Sequence, residues 1–223
     1  GEESLEVYLA DFLDWRREQK SFESLSAFEM TSFNLSDPGE EPERVDASYV
    51  TANTFDVIRV KPLLGRTFLA GEDRVGAPRV VLLSHEIWQR RYGGDRDIVG
   101  RSIRVNAAPA TVVGVMPPKF QFPFTQRLWM PLPIDETAAK RGDGETYEVM
   151  GRLRDGVSAE AARAEIEGIT NRIAERFPAT NKGVEAVIKP LHTEFVSKEL
   201  AALFYLMLAG VLAVLLIACL NVA

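Results

Sequence analysis

Residues 147–178 read YEVMGRLRDGVSAEAARAEIEGITNRIAERFP and carry the clearest secondary-structure signal of the charged part of the chain. The first seven residues are typical of a strand, with one face formed by Tyr147, Val149, Gly151 and Leu153. Ser158 can cap a helix that ends at Pro178, because its hydroxyl can accept a hydrogen bond from the first turn. That helix has an apolar stripe made of Ala162, Ile166, Ile169, Ile173 and Phe177.

The chain on either side of this stretch completes a layer of helices on a sheet. Apolar and polar residues alternate from Val184 to Lys189, which predicts a strand after the helix and hence a βαβ unit. Near the start, Tyr8 to Gln19 predicts a helix. Leu25 to Leu35 and Val45 to Val50 then predict a hairpin around the Ser36-Asp-Pro-Gly39 turn. We interpret this first segment as the other half of the same layer.

The region between these halves predicts a small unit of mostly β structure. A short helix is expected from Ala52 to Ile58, followed by a loop at Pro62 to Gly65. Arg79 to Leu83 is a buried-strand candidate, and Ser84 is placed to cap a helix over His85–Tyr92 that Gly93 ends. Two further strands are expected near Ile103–Val105 and Thr111–Met116, with a turn at Asn106–Pro109 and another extended stretch at Trp129–Leu132.

The last residues, Leu200 to Ala223, form an apolar run without a charged residue. A bilayer core needs roughly 20 apolar residues at helical rise, so we interpret the run as a transmembrane helix. The alternatives are a helix buried in a large soluble core and the hydrophobic part of a targeting signal. Because the chain starts at Gly1 and stops inside the run, we expect both ends to be cuts in a longer protein. The single cysteine, Cys219, lies in the run, so no disulfide can form within the chain.

The charged part of the chain offers no recognisable chemistry. Its net charge of −6 argues against a nucleic-acid partner, and no phosphate-binding loop occurs. The two histidines, His85 and His192, have no neighbours at metal-ligand spacing, and the serines lack a nucleophile elbow. The acidic pairs Glu40-Glu41 and Glu72-Asp73 lie in turn-like stretches, where carboxylates are usually solvated. We therefore predict no enzyme, no catalytic, cofactor-binding or metal-binding residue, and no cofactor.

Several motifs nevertheless resemble one family. These are VVLLSHEIWQRRYGGD at 80–95, IVGRSI at 98–103, VVGVMP at 112–117, DFLDWRR at 11–17, SFESL at 21–25 and the ending ACLNVA at 218–223. Together they resemble the MacB-like periplasmic core domain of FtsX-type ABC transporter permeases, most closely the duplicated permeases common in Acidobacteria. The resemblance covers nearly the whole chain.

The resemblance implies an α+β fold in which a porter-like α/β sandwich layer, formed by both ends of the segment, carries an inserted β-rich Sabre-like subdomain. The expected parts are the first porter-like part at 1–50, the Sabre-like insertion at 51–128, the second porter-like part at 129–196, and a stalk with a truncated transmembrane helix at 197–223. Such a domain would face the periplasm at the bacterial inner membrane.

The resemblance also implies a function and partners. The domain would be non-catalytic and would transmit ATP-driven conformational change across the membrane to export or release cargo. Its expected partners are a cytoplasmic ATP-binding ABC subunit, a second permease in a dimer, membrane lipid, and an adaptor or cargo protein in the periplasm.

Two rival functions compete with the permease. A membrane-anchored sensor or ligand-binding domain would be favoured by a concave aromatic surface, for which Phe120, Phe122, Phe124 and Trp129 are the candidates. The alternative for this cluster is a proline-rich loop packed on the core. An anchored hydrolase would need a nucleophile and a base, which the sequence does not supply. A helix before Gly1 and two after Ala223 would favour the permease, and a kinase-type domain would favour the sensor.

We predict that a shortened chain ending at Val196 folds into a soluble domain, because its apolar stripes and polar faces are complete without the apolar run. Thermal unfolding followed by circular dichroism should show one cooperative transition. A soluble product without cooperative unfolding would place the domain boundary elsewhere.

Overall fold

The computed structural model describes residues 6–191, 204–208, 210–212 and 219. The described strands are β1 (Glu6–Tyr8), β2 (Phe22–Leu35), β3 (Glu43–Val50), β4 (Leu64–Gly65), β5 (Val80–Leu83), β6 (Ser102–Val105), β7 (Ala108–Val115), β8 (Leu128–Pro131) and β9 (Thr146–Leu153). The described helices are α1 (Leu9–Glu18), α2 (Thr54–Ile58), α3 (His85–Tyr92), α4 (Ala159–Arg176) and α5 (Pro178–Asn181), and Arg96–Ile98 forms a 3₁₀ turn.

The chain divides into two compact units, Gly1–Val187 and Ile188–Ala223. The first contains all of these strands and helices. In the second, residues 204–208 and 210–212 are helical and exposed. The transmembrane helix predicted for Leu200–Ala223 lies largely outside the described residues, and no helix within them has the length and apolarity needed to cross a membrane.

The nine strands form one mixed sheet in the order β1-β9-β2-β3-β8-β5-β7-β4, with β6 pairing β2 and β7. β2 and β3 form the long antiparallel hairpin that the sequence predicts. β8 lies parallel to β3 and antiparallel to β5, and so connects the hairpin to the strands of the middle region. The fold is α+β and rich in sheet, as predicted. Strands from the first three predicted segments share this one sheet. The subdomain boundaries at residues 50, 128 and 196 stay a prediction.

The middle of the sheet is buried on both faces. All four residues of β5 are buried, and they alternate between two apolar clusters. Val81 and Leu83 pack in the cluster that contains Ile87 and Trp88 of α3. The opposite cluster contains Val80 and Leu82 together with Phe55 of α2 and Trp129 of β8. Burial on both faces explains the continuous apolar run in β5.

A pair of helices covers the other end of the sheet. Helix α1 contacts β2 and β9, and α4 contacts α1. Trp15 of α1 donates a hydrogen bond from its indole nitrogen to Thr170 Oγ1 of α4, at 3.2 Å. The carboxylate of Glu165 in α4 accepts from the backbone nitrogens of Lys20 and Ser21, at 2.9 and 2.8 Å. These contacts fix α4 against the segment that joins α1 to β2.

The predicted helix caps are confirmed. The hydroxyl of Ser84 accepts a hydrogen bond from the Ile87 nitrogen at 3.1 Å, and that of Ser158 accepts one from the Ala161 nitrogen at 3.2 Å. Gly93 ends α3 in the left-handed conformation, with φ of 62°. Helix boundaries follow local side-chain chemistry, so sequence alone located them well.

Two local predictions are wrong, and a third is confirmed. Residues 184–189 form no strand: both neighbours of β9 are already present, namely β1 and β2, and Val184 and Val187 are exposed. The extended stretch predicted at Tyr147–Leu153 is confirmed as strand β9, on which Tyr147 and Met150 are the buried residues. The expected loop at Pro62–Gly65 contains the two-residue strand β4.

The pairing of β4 with β7 depends on a close approach of their backbones. Gly65 has φ of +72°, and a Cβ atom there would lie 2.2 Å from the carbonyl oxygen of Val113. Gly114 of β7 is the pairing partner of Gly65. A Cβ atom added to Gly114 would lie 2.8 Å from the carbonyl oxygen of Leu64. Only glycine fits this crossing.

We predict that Gly65→Ala lowers the free energy of unfolding by at least roughly 1–3 kcal/mol, from backbone strain alone, with the contact on Val113 adding to it. Urea unfolding of the variant and the wild type measures the difference. Gly39→Ala is the matched control, because Gly39 also has positive φ, at +86°, but an added Cβ would meet nothing within 4 Å. Equal losses in the two variants would show that the backbone contact is unimportant.

Candidate functional site

The residues that the sequence singled out for chemistry do not come together. His85 lies at the start of α3 with its ring against Trp88, at 5.4 Å between centroids, and His192 lies outside the described residues. Within the part of the chain that the structure describes, no group of three or more His, Cys, Asp or Glu residues could hold a metal ion. The absence of catalytic, cofactor and metal residues stays a prediction.

The aromatic candidates for a ligand surface belong mainly to the core. Trp129 is fully buried and donates from its indole nitrogen to the Phe122 carbonyl at 2.8 Å. Phe122 packs edge-on against Phe28, and Phe120 lies 5.5 Å from the Trp129 ring. Phe124 is exposed. Phe120, Phe122 and Trp129 therefore pack in or against the core, as the packed-loop interpretation predicts.

An open cleft of about 600 Å³ lies between α2, the 68–75 loop and the 134–136 segment. Its walls are joined through Asp73, whose carboxylate accepts from the Ala52 nitrogen at 2.9 Å and whose carbonyl accepts from the Ile134 nitrogen at 2.8 Å. At its margin Arg16 of α1 pairs with Glu136 at 2.7 Å, and both side chains are substantially exposed. The volume suits a small molecule, and both acidic and basic side chains line the cleft.

The acidic pair Glu72-Asp73, expected to be solvated, is instead structural. Glu72 binds Arg66 through two hydrogen bonds of 2.7 and 2.9 Å and accepts a third from the Leu69 nitrogen at 2.8 Å. Burial acts to raise the pKa of Glu72, but the bonds from Arg66 and Leu69 outweigh it and lower that pKa. The two carboxylates hold the 66–73 loop in shape rather than facing solvent.

Arg141 is the centre of a buried charge network. Asp11 and Asp14, one turn apart on α1, are only 6% and 4% exposed. Arg141 Nη1 donates to Asp11 Oδ1 at 2.6 Å, and its other terminal nitrogen pairs with Asp14. Asn181 of α5 donates to the same Asp11 oxygen at 3.0 Å, and Arg17, which is largely exposed, also pairs with Asp14. The network joins α1, the segment between β8 and β9, and α5.

Phe177 belongs to this network through its ring. The sequence placed Phe177 on the buried stripe of α4, but it is 40% exposed and lies between α4 and α5. The Arg141 guanidinium lies 4.1 Å from its ring centroid, which is the geometry of a cation–π contact. The ring thus covers the arginine rather than the sheet.

Burial raises the pKa of the Asp11 carboxyl above its ordinary value of 3.8. The hydrogen bond from Asn181 and the charge of Arg141 oppose this rise in pKa, while the neighbouring Asp14 carboxylate adds to it. The loss of hydration prevails, because a buried carboxylate gives up more solvation than its partners restore. Asp11 therefore binds its proton more tightly in the folded chain than in the unfolded chain.

Comparison with solved structures defines the class of the fold. The extracellular domain of the noncanonical ABC-type transporter YknZ from Gram-positive bacteria has a TM-score of 0.61 at 14% identity, covering 83% of this chain and 91% of that one. The periplasmic region of MacB from Actinobacillus actinomycetemcomitans has a TM-score of 0.57 at 17% identity, covering 78% of each chain. The fold is that of extracytoplasmic domains of ABC-type transporters.

The chain belongs to the family of MacB-like periplasmic core domains, whose family model matches residues 3–169. A curated relative is the probable syringafactin export ATP-binding/permease protein SyfD of Pseudomonas syringae pv. tomato (strain ATCC BAA-871 / DC3000), which is 31% identical over 125 residues, or 54% of this chain. The matched part spans only 18% of that relative's length. The family resemblance found in the sequence motifs is confirmed.

We predict that Asp11→Asn changes the pH dependence of stability. Because the pKa of Asp11 is raised by folding, its contribution to stability is fully present below the unfolded pKa and is lost as pH rises through the folded pKa. The variant cannot titrate at this position, so its free energy of unfolding, relative to the wild type, should increase between about pH 3 and pH 7.

Urea unfolding at several pH values measures this slope, and Asp135→Asn is a control of opposite sign. Hydrogen bonds from Thr137 lower the pKa of Asp135, so its contribution is present above the unfolded pKa and lost as pH falls. The stability of that variant, relative to the wild type, should decrease as pH rises. A decreasing relative stability for Asp11→Asn would contradict the burial argument.

Proposed function

We propose that this chain is the extracytoplasmic domain of an ABC transporter permease, non-catalytic in itself, which transmits ATP-driven conformational change to the export or release of cargo. The observation that carries the proposal is the family match over residues 3–169, together with the likeness of the fold to transporter domains. A curated relative with an export name supports the transport role.

The architecture suits a domain that moves as a unit. Its sheet is continuous over nine strands and is packed on both faces in the middle, so displacement at one end must carry the other end with it. Close-packed interiors deform little and transmit strain. This domain would accordingly act by position rather than by chemistry.

The proposed partners follow from membership of the family. They are a cytoplasmic ATP-binding subunit, a second permease in a dimer, membrane lipid around the apolar run Leu200–Ala223, and an adaptor or cargo protein on the periplasmic side. The domain would face the periplasm from the inner membrane. The alternative, a membrane-anchored sensor or ligand-binding domain, relied on an aromatic surface that Phe122 and Trp129 do not form.

We propose that motion reaches the domain through the segment of chain that follows residue 191. Glu194 to Leu200 lies outside the described residues, but it contains no glycine or proline, and we propose that it continues the membrane helix as a stiff stalk. A helix interior that receives proline loses a hydrogen bond and gains a clash, at a cost of about 3 kcal/mol.

We therefore predict that Lys198→Pro, in the full transporter reconstituted with its ATPase into sealed lipid vesicles, leaves ATP hydrolysis largely intact while abolishing export. ATP-dependent change in hydrogen exchange of residues 6–187 should disappear with it, which gives a readout independent of the cargo. Lys198→Ala is the matched control and should retain both, because alanine keeps the helix. An undiminished ATP-dependent exchange response in the proline variant would show that the stalk is not the coupling element.

A further inference from the structure

The connection between β8 and β9, residues 132–145, runs over the surface and is attached at a few points. At its start the Asp135 carboxylate accepts from the nitrogen and hydroxyl of Thr137, at 2.9 and 2.6 Å, which shapes a local turn. At its end the Tyr147 hydroxyl donates to Glu145 at 2.5 Å. Most of the side chains between them are exposed, and Arg141 is the exception that turns inward.

Arg141 attaches this connection to two helices at once. Its guanidinium spans Asp11 and Asp14 of α1 and lies on the Phe177 ring at the start of α5. The next residue also touches α5: a Cβ atom added to Gly142 would lie 3.1 Å from Thr180 Cβ. The backbone at Gly142 therefore fits directly against that helix.

Helix α5 is held by the same atoms. Asn181 donates to Asp11 Oδ1 at 3.0 Å and accepts from the Thr180 hydroxyl at 2.7 Å, and it is 2% exposed. Asp11 Oδ1 is thus shared between Arg141 and Asn181. Losing either donor leaves the other facing a buried carboxylate whose hydrogen bonding is incomplete, which is costly in a low-dielectric interior.

A buried ion pair is a poor device for stability alone. Removing water from the charges offsets most of their attraction, whereas losing one partner strands a buried charge. Such a network therefore tends to be fully closed or fully open. One arginine, Arg141, binds both the Asp11 and the Asp14 carboxylates from a distant part of the sequence. The free energy needed to open the network therefore depends mainly on this single side chain.

We propose that Asp11, Asp14, Arg141 and Asn181 form a latch that makes the 132–145 connection, α1 and α5 open and close together. Arg141 is its positioning residue. While the latch is closed, displacement of α5 pulls on the connection between β8 and β9 and so on the middle of the sheet. When it opens, the connection and α5 are released together.

This inference deepens the proposed relay of motion, but its test needs neither ATP nor a partner. In the full 223-residue chain, two reporters are followed at neutral pH. One is hydrogen exchange at the amides of Thr180 and Asn181, which bond to the Phe177 carbonyl at 3.2 and 2.9 Å. The other is the rate of trypsin cleavage at Lys140 and Arg141. Both rates follow the population of the open state.

The effect of each substitution is measured in the other part of the network: exchange in α5 for Arg141 variants, and cleavage within 132–145 for the Asn181 variant. Arg141→Ala should speed exchange at Thr180 and Asn181 by about tenfold or more, and Asn181→Ala should speed cleavage inside 132–145 by a similar factor. Arg141→Lys, which keeps the charge but loses the two-pronged contact, serves in place of the alanine variant if that variant does not fold. Arg16→Ala, which removes the exposed bridge to Glu136, should leave both rates within about twofold.

The latch is refuted if the Arg141 variant leaves exchange in α5 unchanged, or if Asn181→Ala leaves cleavage inside 132–145 unchanged. An equal response to Arg16→Ala would also refute it, because general loosening of the connection would then explain the data. If the latch test fails but Lys198→Pro abolishes export as predicted, the latch is wrong and the proposed function still holds.

Discussion

The structure depends on the placement of one short strand, β8. All four of its residues are buried. The strand also pairs with two neighbours, β3 and β5, that run in opposite directions to each other. Its parallel pairing with β3 and antiparallel pairing with β5 turn the strands of the hairpin and of the middle region into one sheet. Leu128 and Met130 fill one apolar cluster, and Trp129 fills the other. Because Trp129 also places its indole N–H on the Phe122 carbonyl, the strand is fixed in register as well as in depth.

The two ends of the sheet differ in how they are packed. Near β8 the sheet has apolar cover on both faces, which makes that region rigid. At the β1 end it is covered by α1 and α4, whose contacts are partly polar, including the Trp15–Thr170 bond and the Glu165 cap on the α1–β2 link. The Arg141 network lies among these polar contacts. The domain thus combines a stiff centre with one boundary at which charges, rather than methyl groups, set the geometry.

Sequence reasoning succeeded where structure is set locally and failed where it is set by distant partners. The caps at Ser84 and Ser158 and the turn at Gly93 depend on neighbours within four residues, and they were located from sequence. Residues 184–189 alternate like a strand, but whether they pair depends on which strands already flank β9. In the sequence, Asp11 and Asp14 are typical of a solvated helix face, because their partner Arg141 lies about 130 positions away and no local pattern predicts the contact. The motifs identified the family without revealing this network.

The Arg141 network also constrains the order in which the fold can be assembled. Asp11 meets Arg141 across 130 positions of sequence and Asn181 across 170. During synthesis α1 is made before both partners of Asp11, and that carboxylate meets Arg141 and Asn181 only when nearly the whole unit has followed. Contacts of such long sequence separation carry the loop-closure entropy of everything between them. Helix α1 therefore completes its native contacts only after α5 has been made, so these two described helices cannot reach the native state one after the other in the order of synthesis.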